Sequence, residues 1–556
     1  MTSKTWQEIS AAKKAEQLER IPKEWILAPD KLPAQGTIDL RPVASSSGIL
    51  SERELKITEE YDATALVQEI AVGTYTAVEV VTAYCKRAAV GQQLCNSLTE
   101  IMFRDAIAAA QKLDETFNAT GKTAGPLHGL PMTFKECFHV KGYDASDGYI
   151  SRTFEPSTID SYLIQIVRDA GAVVIAKTNT PQTMLVAEAH NNVFGQTKNP
   201  VVSHLTCGGS SGGEGSIIAF RGSALGIGTD VGGSIRYMSP RKMKLYANIK
   251  CRIPAAANGT YGYKPSNGIL PMIGYAASNW PGMNTGVPAV CGPLANSLRD
   301  LTLLTKVVRG VKPWIFDPAV VPHICERGVS ARKPVVGVIS SSGLTPHPPI
   351  LRGIREARRK LEAAGFEVKD FSPPDFADIR KVTKELFTLD GLSYPKRELA
   401  KAGEPVVQSV SNIGFWPVPA KTPEEMWRLN AKKLSIQKEM LDRWQQAKVD
   451  VVLCPAGPHT AVKPGNWMMD HYTVVWNAVD YPAVIIPFSV ADPEKDPLDR
   501  SFVAWETNKE PDELIQAMYE PKQMAGAPVC LQLVGMRLED EQLLKDAELI
   551  DQILNQ

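Results

Sequence analysis

The sequence lacks several features of membrane, secreted and nucleic-acid-binding proteins. It has no apolar run near the ~18 residues needed to cross a bilayer. Its charged first 20 residues contain no apolar segment of the kind found in signal peptides. It has no charge excess, with 61 Lys+Arg against 61 Asp+Glu, whereas polyanion partners favour a basic surplus. These absences predict a soluble cytoplasmic protein with no membrane span and no nucleic-acid partner.

The sequence also lacks a disulfide framework and the common cofactor motifs. Its nine cysteines are an odd number, scattered and without a CxxC pair, which is typical of reduced thiols. The sequons at Asn118 and Asn258 are therefore expected to stay unglycosylated. No GxGxxG or GxxxxGK[ST] phosphate-binding pattern occurs. We expect no metal and no cofactor.

What the sequence does contain is an alternation of helical and strand patterns from about residue 125 to its end. The 556 residues are 44% hydrophobic, which is enough for a large core. The alternation predicts an α/β/α sandwich, in which helices cover both faces of one large, mixed, twisted sheet. Strands are predicted at Val173–Ala176, Val335–Ile339, Phe366–Val368, Val451–Leu453, Val484–Ile486 and Val529–Val534.

The predicted organisation is a helical arm at residues 1–60 followed by a single domain at 61–556. A polar, helix-rich block at about 370–445 is expected to lie over the edge or mouth of the sheet. Its aromatic residues Phe415, Trp416 and Trp427 are interpreted as packing residues rather than pocket residues. The oligomeric state stays open, and a homodimer is one compatible state.

The most unusual segment is Cys207–Arg236, which holds ten glycines yet has apolar residues throughout. A flexible linker would not carry those apolar residues, so the glycines indicate close backbone approaches or positive φ angles. Three interpretations remain: a turn without chemistry, a serine held among backbone amides, or a GxSxG elbow at Gly208–Gly212. The elbow would belong to an α/β-hydrolase-type esterase with His459 or His471 as its base.

Several motifs, spread over about residues 60–550, resemble the amidase signature family. The overall pattern is most similar to the fungal acetamidase-type general amidases. The matching segments are Gly129–Lys135, Ala176–Asn179, Pro181-Gln182, Asn199-Pro200, Gly232–Arg236 and Gly526–Gly535.

This resemblance implies the amidase signature fold and hydrolysis of a small-molecule carboxamide through an acyl-serine intermediate. It implies a Ser–Ser–Lys triad of Ser234 as nucleophile, Ser210 as bridging serine after a cis peptide bond, and Lys135 as base. The other implied residues share supporting roles. They are Met184 in substrate contact, the amides of Val231, Gly232, Gly233 and Ser234 as an oxyanion hole, and Ser211, Asp230 and Arg236 as supports.

The chemistry of a lysine base agrees with the sequence around Lys135. Lysine accepts a proton only when neutral, so its pKa of ~10.4 must fall through burial or positive neighbours. Lys135 ends an alternating run whose apolar members Met132 and Phe134 predict a buried strand. His128 and His139 are interpreted as structural residues, and Cys137 as an inert buried thiol, so the base stays the one that the resemblance implies, Lys135.

One departure from the family pattern follows the predicted nucleophile. Residues 237–252 interrupt the motif, and they carry five positive charges and no acid. This insertion is either a surface loop or lid near the site, or translated non-coding sequence. In both cases we expect that it could displace Arg236 and leave Asp230 unpaired. The insertion therefore motivates an alternative function, a catalytically impaired homologue that serves as a binding or pathway scaffold.

Overall fold

The computed structural model describes residues 4–231, 251–276, 279–280, 282–283, 285–322, 330, 332–412, 418–467 and 469–556. Within these residues, eleven strands form one sheet in the order β1-β3-β2-β6-β8-β7-β12-β13-β11-β9-β10, and two short strands pair separately. The strands are β1 (Leu98–Ile101), β2 (Pro131–Lys135), β3 (Val173–Thr178), β4 (His190–Asn191), β5 (Gly195–Gln196), β6 (Leu225–Asp230), β7 (Tyr261–Lys264), β8 (Val290–Ala295), β9 (Val336–Val338), β10 (Val368–Asp370), β11 (Val451–Pro455), β12 (Ala483–Val490) and β13 (Pro528–Val534).

The sheet is mixed, as predicted. Strands β3, β2 and β6 run parallel near one edge, and β11, β9 and β10 run parallel at the other. The central pairs from β6 through β8, β7, β12 and β13 to β11 are antiparallel. Each predicted strand segment overlaps an observed strand, although β10 begins only at Val368.

Eighteen α-helices lie within the described residues. They are α1 (Trp6–Glu19), α2 (Val43–Ser46), α3 (Glu52–Glu59), α4 (Ala63–Ala71), α5 (Ala77–Cys95), α6 (Phe103–Thr120), α7 (Tyr162–Asp169), α8 (Gly212–Ala219), α9 (Arg252–Asn258), α10 (Leu298–Gly310), α11 (Pro348–Ala363), α12 (Phe376–Phe387), α13 (Ser393–Ala402), α14 (Gln408–Asn412), α15 (Pro423–Ala447), α16 (His471–Ala478), α17 (Lys509–Ala517) and α18 (Asp540–Leu554).

Helices cover both faces of the sheet because alternate strand residues are apolar on both sides. In β12, Val484 and Ile486 pack in one cluster with residues of α10, α11 and α18. Ile485, between them, packs in a second cluster that contains Ala255 of α9. Successive side chains of a strand point to opposite faces. The strand is therefore buried on both sides, which confirms the predicted α/β architecture.

The first helix, α1, docks on the sheet edge through charged side chains. Its N-terminus is a capping box between Thr5 and Glu8. On the buried side of α1, Lys13 Nζ lies 2.7 Å from a carboxylate oxygen of Glu100 and 2.7 Å from one of Asp144. A buried amine paired with two carboxylates fixes this helix to the body of the protein.

The block at about 370–445 is helical, as expected, but it contributes more apolar side chains to the core than its polar sequence indicated. Helix α12 buries Phe376 and Leu386, and α15 buries Met440 and Trp444 in the same core cluster. Trp427 is 69% exposed, so its interpretation as a packing residue was wrong. Phe415 and Trp416 lie outside the described residues.

Across the described ranges, no helix is both long and apolar enough to cross a membrane.

Candidate active site

Lys135 is the last residue of β2, which lies between two parallel neighbours. Thr178 of β3 is its register partner, and Phe134 beside it pairs with Ile227 of β6. All five residues of β2 are buried, and Lys135 itself is 0% exposed. The carboxyl ends of β2, β3 and β6 meet here, which is where ligands bind in open parallel sheets.

Two hydroxyl groups surround the Lys135 amine. Lys135 Nζ donates to Ser210 Oγ at 2.5 Å and to Thr229 Oγ1 at 2.7 Å. The peptide bond between Gly209 and Ser210 is cis, as the resemblance implied. Thr229 comes from the end of β6, so three separate segments meet at one amine.

One glycine beside Ser210 and one in the first turn of α8 allow this segment to lie against neighbouring backbone. A Cβ atom on Gly209 would lie 2.0 Å from the carbonyl oxygen of Glu188, and one on Gly213 would lie 2.3 Å from the amide nitrogen of Asn179. No side chain fits at such distances. The predicted close backbone approaches are therefore present, and a purely flexible role for this segment is excluded.

Ser211 connects the Ser210 loop to β6. Its Oγ accepts from the amide of Thr229 at 3.2 Å and donates to the carbonyl of Thr229 at 3.4 Å. These bonds fix Thr229 relative to Ser210, and so fix both hydroxyls around the amine.

Burial lowers the pKa of Lys135, because an ammonium group loses hydration inside the protein. Among the described residues Lys135 forms no ion pair that would restore the charged form. A nearby carboxyl, Glu214, is also fully buried, and burial raises its pKa to about 8. Both groups therefore shift toward their neutral forms.

The other titratable residues close to Lys135 in sequence have structural roles, as predicted. His128 Nδ1 accepts from the amide of Ala124 at 3.0 Å, and His139 Nδ1 lies 2.5 Å from Ser157 Oγ. Cys137 is buried, and burial raises the pKa of its thiol to about 12. A thiol with that pKa is protonated at neutral pH and is a poor nucleophile.

Met184 and Val231 line a cavity of about 420 Å³ that also reaches Thr229. Thr183 and Met184 have φ angles of 71° and 57°, in the left-handed region that residues other than glycine rarely adopt. Such backbone strain clusters at functional sites. Gly232, Gly233, Ser234 and Arg236 lie outside the described residues.

Asp230, the last residue of β6, pairs with Arg252. Arg252 Nε lies 2.9 Å from Asp230 Oδ2, and Arg252 Nη2 lies 3.2 Å from Oδ1. Asn477 Nδ2 also donates to Oδ1, at 2.8 Å. Asp230 and Arg252 are both 0% exposed.

Arg252 is held on every side by further acceptors. Its Nη1 donates to Gln532 Oε1 at 2.7 Å, and its Nη2 donates to Asn477 Oδ1 at 2.6 Å and to the carbonyl of Thr473 at 3.0 Å. The guanidinium thus connects β6 with β13 and α16. The expectation that the insertion would leave Asp230 unpaired was wrong, because the last residue of the insertion supplies the partner.

The two histidines proposed as esterase bases pair with backbone carbonyl groups instead. His459 Nδ1 pairs with the carbonyl of Thr460, and His471 Nε2 with the carbonyl of Ser342. Burial lowers the pKa of His459 to about 4 and that of His471 to about 3. The GxSxG serine, Ser210, contacts Lys135 instead, so the elbow interpretation was wrong.

Comparison with known proteins agrees with this geometry. The sequence model of the family described as Amidase matches residues 79–240 and 250–544. These ranges cover well over half of the chain. The chain belongs to the amidase family.

Relatives within the amidase family match along their full length. The acetamidase of Emericella nidulans is 37% identical over 567 aligned positions, covering 99% of this chain and 98% of that protein. The acetamidase of Aspergillus oryzae is 34% identical and covers 100% of both chains. The structure of a fatty acid amide hydrolase superposes with a TM-score of 0.91 at 30% identity, covering 100% of this chain and 96% of that one. The protein is therefore an enzyme of the amide-hydrolysing class.

The family match breaks between residues 240 and 250, inside the predicted insertion. It resumes just before Arg252, Ile253 and Pro254. Removing residues 236–251 or residues 237–252 gives the same sequence, since an arginine then follows Ile235 in both cases. Arg252 was thus detectable from the sequence as an equal alternative to Arg236. Asp230 contacts Arg252, whereas Arg236 lies outside the described residues.

Thr229 is the second functional residue that sequence analysis missed. It was available as the residue before Asp230 in the Gly-rich motif. Nothing in the sequence pattern, however, indicates which hydroxyls meet a lysine from another strand.

Proposed function

We propose that this amidase cleaves carboxamides through an acyl-serine intermediate, with Ser234 as nucleophile, Ser210 as proton relay and Lys135 as base. The observation that carries the proposal is the contact of a buried Lys135 amine with Ser210 Oγ at 2.5 Å. A serine hydroxyl attacks an amide poorly unless an adjacent base removes its proton.

The proposed first half-reaction forms the Ser234 ester bond, breaks the amide C–N bond and carries one net proton from Ser234 to the leaving nitrogen. Ser234 Oγ bonds to the amide carbon as its proton passes to Ser210, while Ser210 gives its own proton to neutral Lys135. The amides of Val231, Gly232, Gly233 and Ser234 donate to the oxyanion, and each such donor is typically worth about 3 kcal/mol. The relay then reverses, and the leaving nitrogen takes the proton as the C–N bond breaks.

The second half-reaction is hydrolysis of the acyl-serine. Water gives one proton through Ser210 to Lys135 as its oxygen attacks the ester carbon. The relay then returns this proton to Ser234 Oγ as the ester C–O bond breaks, which releases the carboxylic acid and restores the free serine and the neutral lysine. Ammonia or an amine, released earlier, is the other product.

Ser234→Ala and Lys135→Ala test this mechanism in the intact chain. We expect ammonia release from simple amides to fall at least about 100-fold in each variant. Ser45→Ala is the matched control, because Ser45 is an exposed serine whose Oγ donates only locally, to the carbonyl of Pro42. Full activity in both site variants would refute the mechanism.

A second candidate is a catalytically impaired homologue that acts as a scaffold. The interruption of the family match at 241–249 favours it. A serine-directed fluorophosphonate distinguishes the two, since labelling of Ser234 in the intact chain would exclude the scaffold. An amide panel run with and without residues 237–252 then tells whether the insertion lowers turnover.

We also propose a cytoplasmic location. The eight cysteines in the described residues are buried and free of disulfides, which supports a reducing compartment.

A further inference from the structure

The cavity beside the candidate triad is large for a small amide. Its volume is about 420 Å³, in the range of roughly 300–1,000 Å³ that suits drug-sized ligands. Thr229, which accepts from Lys135, lines it together with Val231, and Phe387, Leu392 and Pro395 line it as well. Acetamide, with a single methyl group beside its amide, would leave most of this space unfilled.

The described lining of the cavity is mainly apolar and comes from distant parts of the chain. Met184, Met272 and Met283 contribute three flexible thioethers from separate segments. Methionine adapts its shape to apolar ligands of varied outline. The aromatic members are Tyr275, Trp280 and Phe387.

Trp280 is a fixed part of this wall. Its Nε1 donates to Ser393 Oγ at 2.7 Å, and its ring meets Tyr394 edge-on with centroids 5.5 Å apart. The guanidinium of Arg397 covers the Trp280 ring, 4.0 Å from the centroid. These three contacts hold the indole in place, and Arg397 is not among the described residues that line the cavity.

The one carboxylate among the described lining residues, that of Asp390, already accepts three hydrogen bonds. Asp390 Oδ1 accepts from the amide of Leu392 at 2.9 Å. Its Oδ2 accepts from Ser393 Oγ at 2.9 Å and from the amide of Tyr394 at 3.1 Å. The titratable groups of Cys137 and Tyr275 are neutral, because burial raises the pKa of each to about 12. A charged ligand group would therefore lose hydration here, and the Asp390 carboxylate already accepts three hydrogen bonds.

We propose that the substrates are carboxamides with a bulky, uncharged apolar group, which occupies the cavity while the amide lies at the Thr229–Val231 end. This inference rests on the proposed amide hydrolysis and specifies its substrate class. The apolar group belongs to either the acyl or the amine side, and both would use the same contacts.

The test compares kcat/KM for acetamide with that for two isomers, hexanamide and N-butylacetamide, on the full chain. Each buried methylene is worth about fourfold in binding, so we expect at least one isomer to exceed acetamide by about tenfold or more. The preferred isomer identifies the side that enters the cavity. Equal or faster turnover of acetamide would overturn the inference and leave the proposed function standing, whereas no hydrolysis of any amide would overturn both.

A charged isostere tests the chemistry of the lining. We expect heptanamide to be hydrolysed at least about tenfold more efficiently than 6-aminohexanamide, because the ammonium group loses hydration beside apolar side chains and the Asp390 carboxylate already accepts three hydrogen bonds. Equal efficiency would contradict the apolar assignment.

A substitution that fills part of the cavity tests whether the apolar group of the substrate binds there. Ala289→Phe adds a ring at a half-buried lining position, and we expect it to lower the ratio of hexanamide to acetamide turnover at least about fivefold. Ala108→Phe is the matched control on the exposed side of α6, and we expect it to leave both rates unchanged. An unchanged ratio in a folded Ala289→Phe protein would place the substrate elsewhere.

Discussion

Lys135 and Arg252 are both completely buried cations near the end of β6, yet their surroundings are opposite. Arg252 meets a carboxylate and three further acceptors. Lys135 meets two hydroxyls and, within the described residues, no carboxylate. A buried cation with a full set of partners stays charged and holds structure. A buried amine without a counter-ion favours its neutral form, which is what a base requires.

The largest expected effect comes from removing the amine. Lys135→Met keeps much of the side-chain volume but has no base, so we expect kcat/KM for amides to fall by about 10²–10⁴-fold. Stability should be unchanged or higher, since a desolvated amine is replaced by an apolar group. Ammonia release and urea denaturation measure the two quantities. A strongly destabilised Lys135→Met protein would show that the amine holds structure as Arg252 does.

Substitution of Arg252 should instead lower the stability of the fold. Arg252→Gln removes the guanidinium that pairs with the buried Asp230 carboxylate, and we expect a loss of about 3–5 kcal/mol in the free energy of unfolding. Adding Asp230→Asn should restore part of that loss, because it removes the stranded charge.

Arg236→Gln is the control variant for this second prediction. If Arg252 is the partner of Asp230 in solution, Arg236→Gln should destabilise much less than Arg252→Gln does. A larger loss at Arg236 would reverse the assignment and return the supporting role to the residue that the motif predicted.

The contrast between these cations also explains which features the sequence could predict. Strands such as β3 and β13 are mainly apolar runs, so the local pattern was sufficient to predict them. Lys135 and Ser210 were found through ordered motifs. The partners of Asp230 come from α9 and α16, and no local pattern states which of two arginines reaches a buried carboxylate.

Trp427 shows the same limit of prediction from local sequence, in this case at the protein surface. Its aromatic character predicted packing, but the helix α15 turns Met440 and Trp444 toward the core and leaves Trp427 exposed. Which face of a mainly polar helix is buried depends on its neighbours, here α12 and the sheet, rather than on one residue type.

A moderate effect is expected at Thr229, the second hydroxyl on Lys135. Thr229→Val removes an acceptor that stabilises the ammonium form, so the pKa of Lys135 should fall further. Activity of the wild type should rise with pH and level off below ~10.4, because burial already lowers the pKa of its base. In Thr229→Val this plateau should begin at lower pH, with about 5–10-fold lower kcat/KM from the lost bond. Superimposable pH profiles would show that Thr229 does not act on the amine.

The smallest expected effect tests why Lys135 has no ion-pair partner within the part of the chain that the structure describes. Glu214 accepts from Thr133 Oγ1 at 2.7 Å and from Thr178 Oγ1 at 2.9 Å, and burial raises its pKa from 4.5 to about 8. The folded chain therefore keeps this proton up to about pH 8, whereas the unfolded chain loses it near pH 4.5. Folding takes up a proton between these values, so this contribution to stability is complete below pH 4.5 and is lost as pH rises through about 8.

Glu214→Gln removes that proton exchange and keeps the side-chain shape. We expect the wild type to lose stability relative to Glu214→Gln as pH rises from 5 to 8, by at most about 1.4 kcal/mol per pH unit, with no further divergence above that. Urea denaturation at four or five pH values measures the difference. Parallel curves would mean that Glu214 is already ionised at neutral pH. Lys135 would then have a nearby anion that favours its ammonium form. Lys135 and Arg252 would differ in the distance to a carboxylate and not in whether a carboxylate is present.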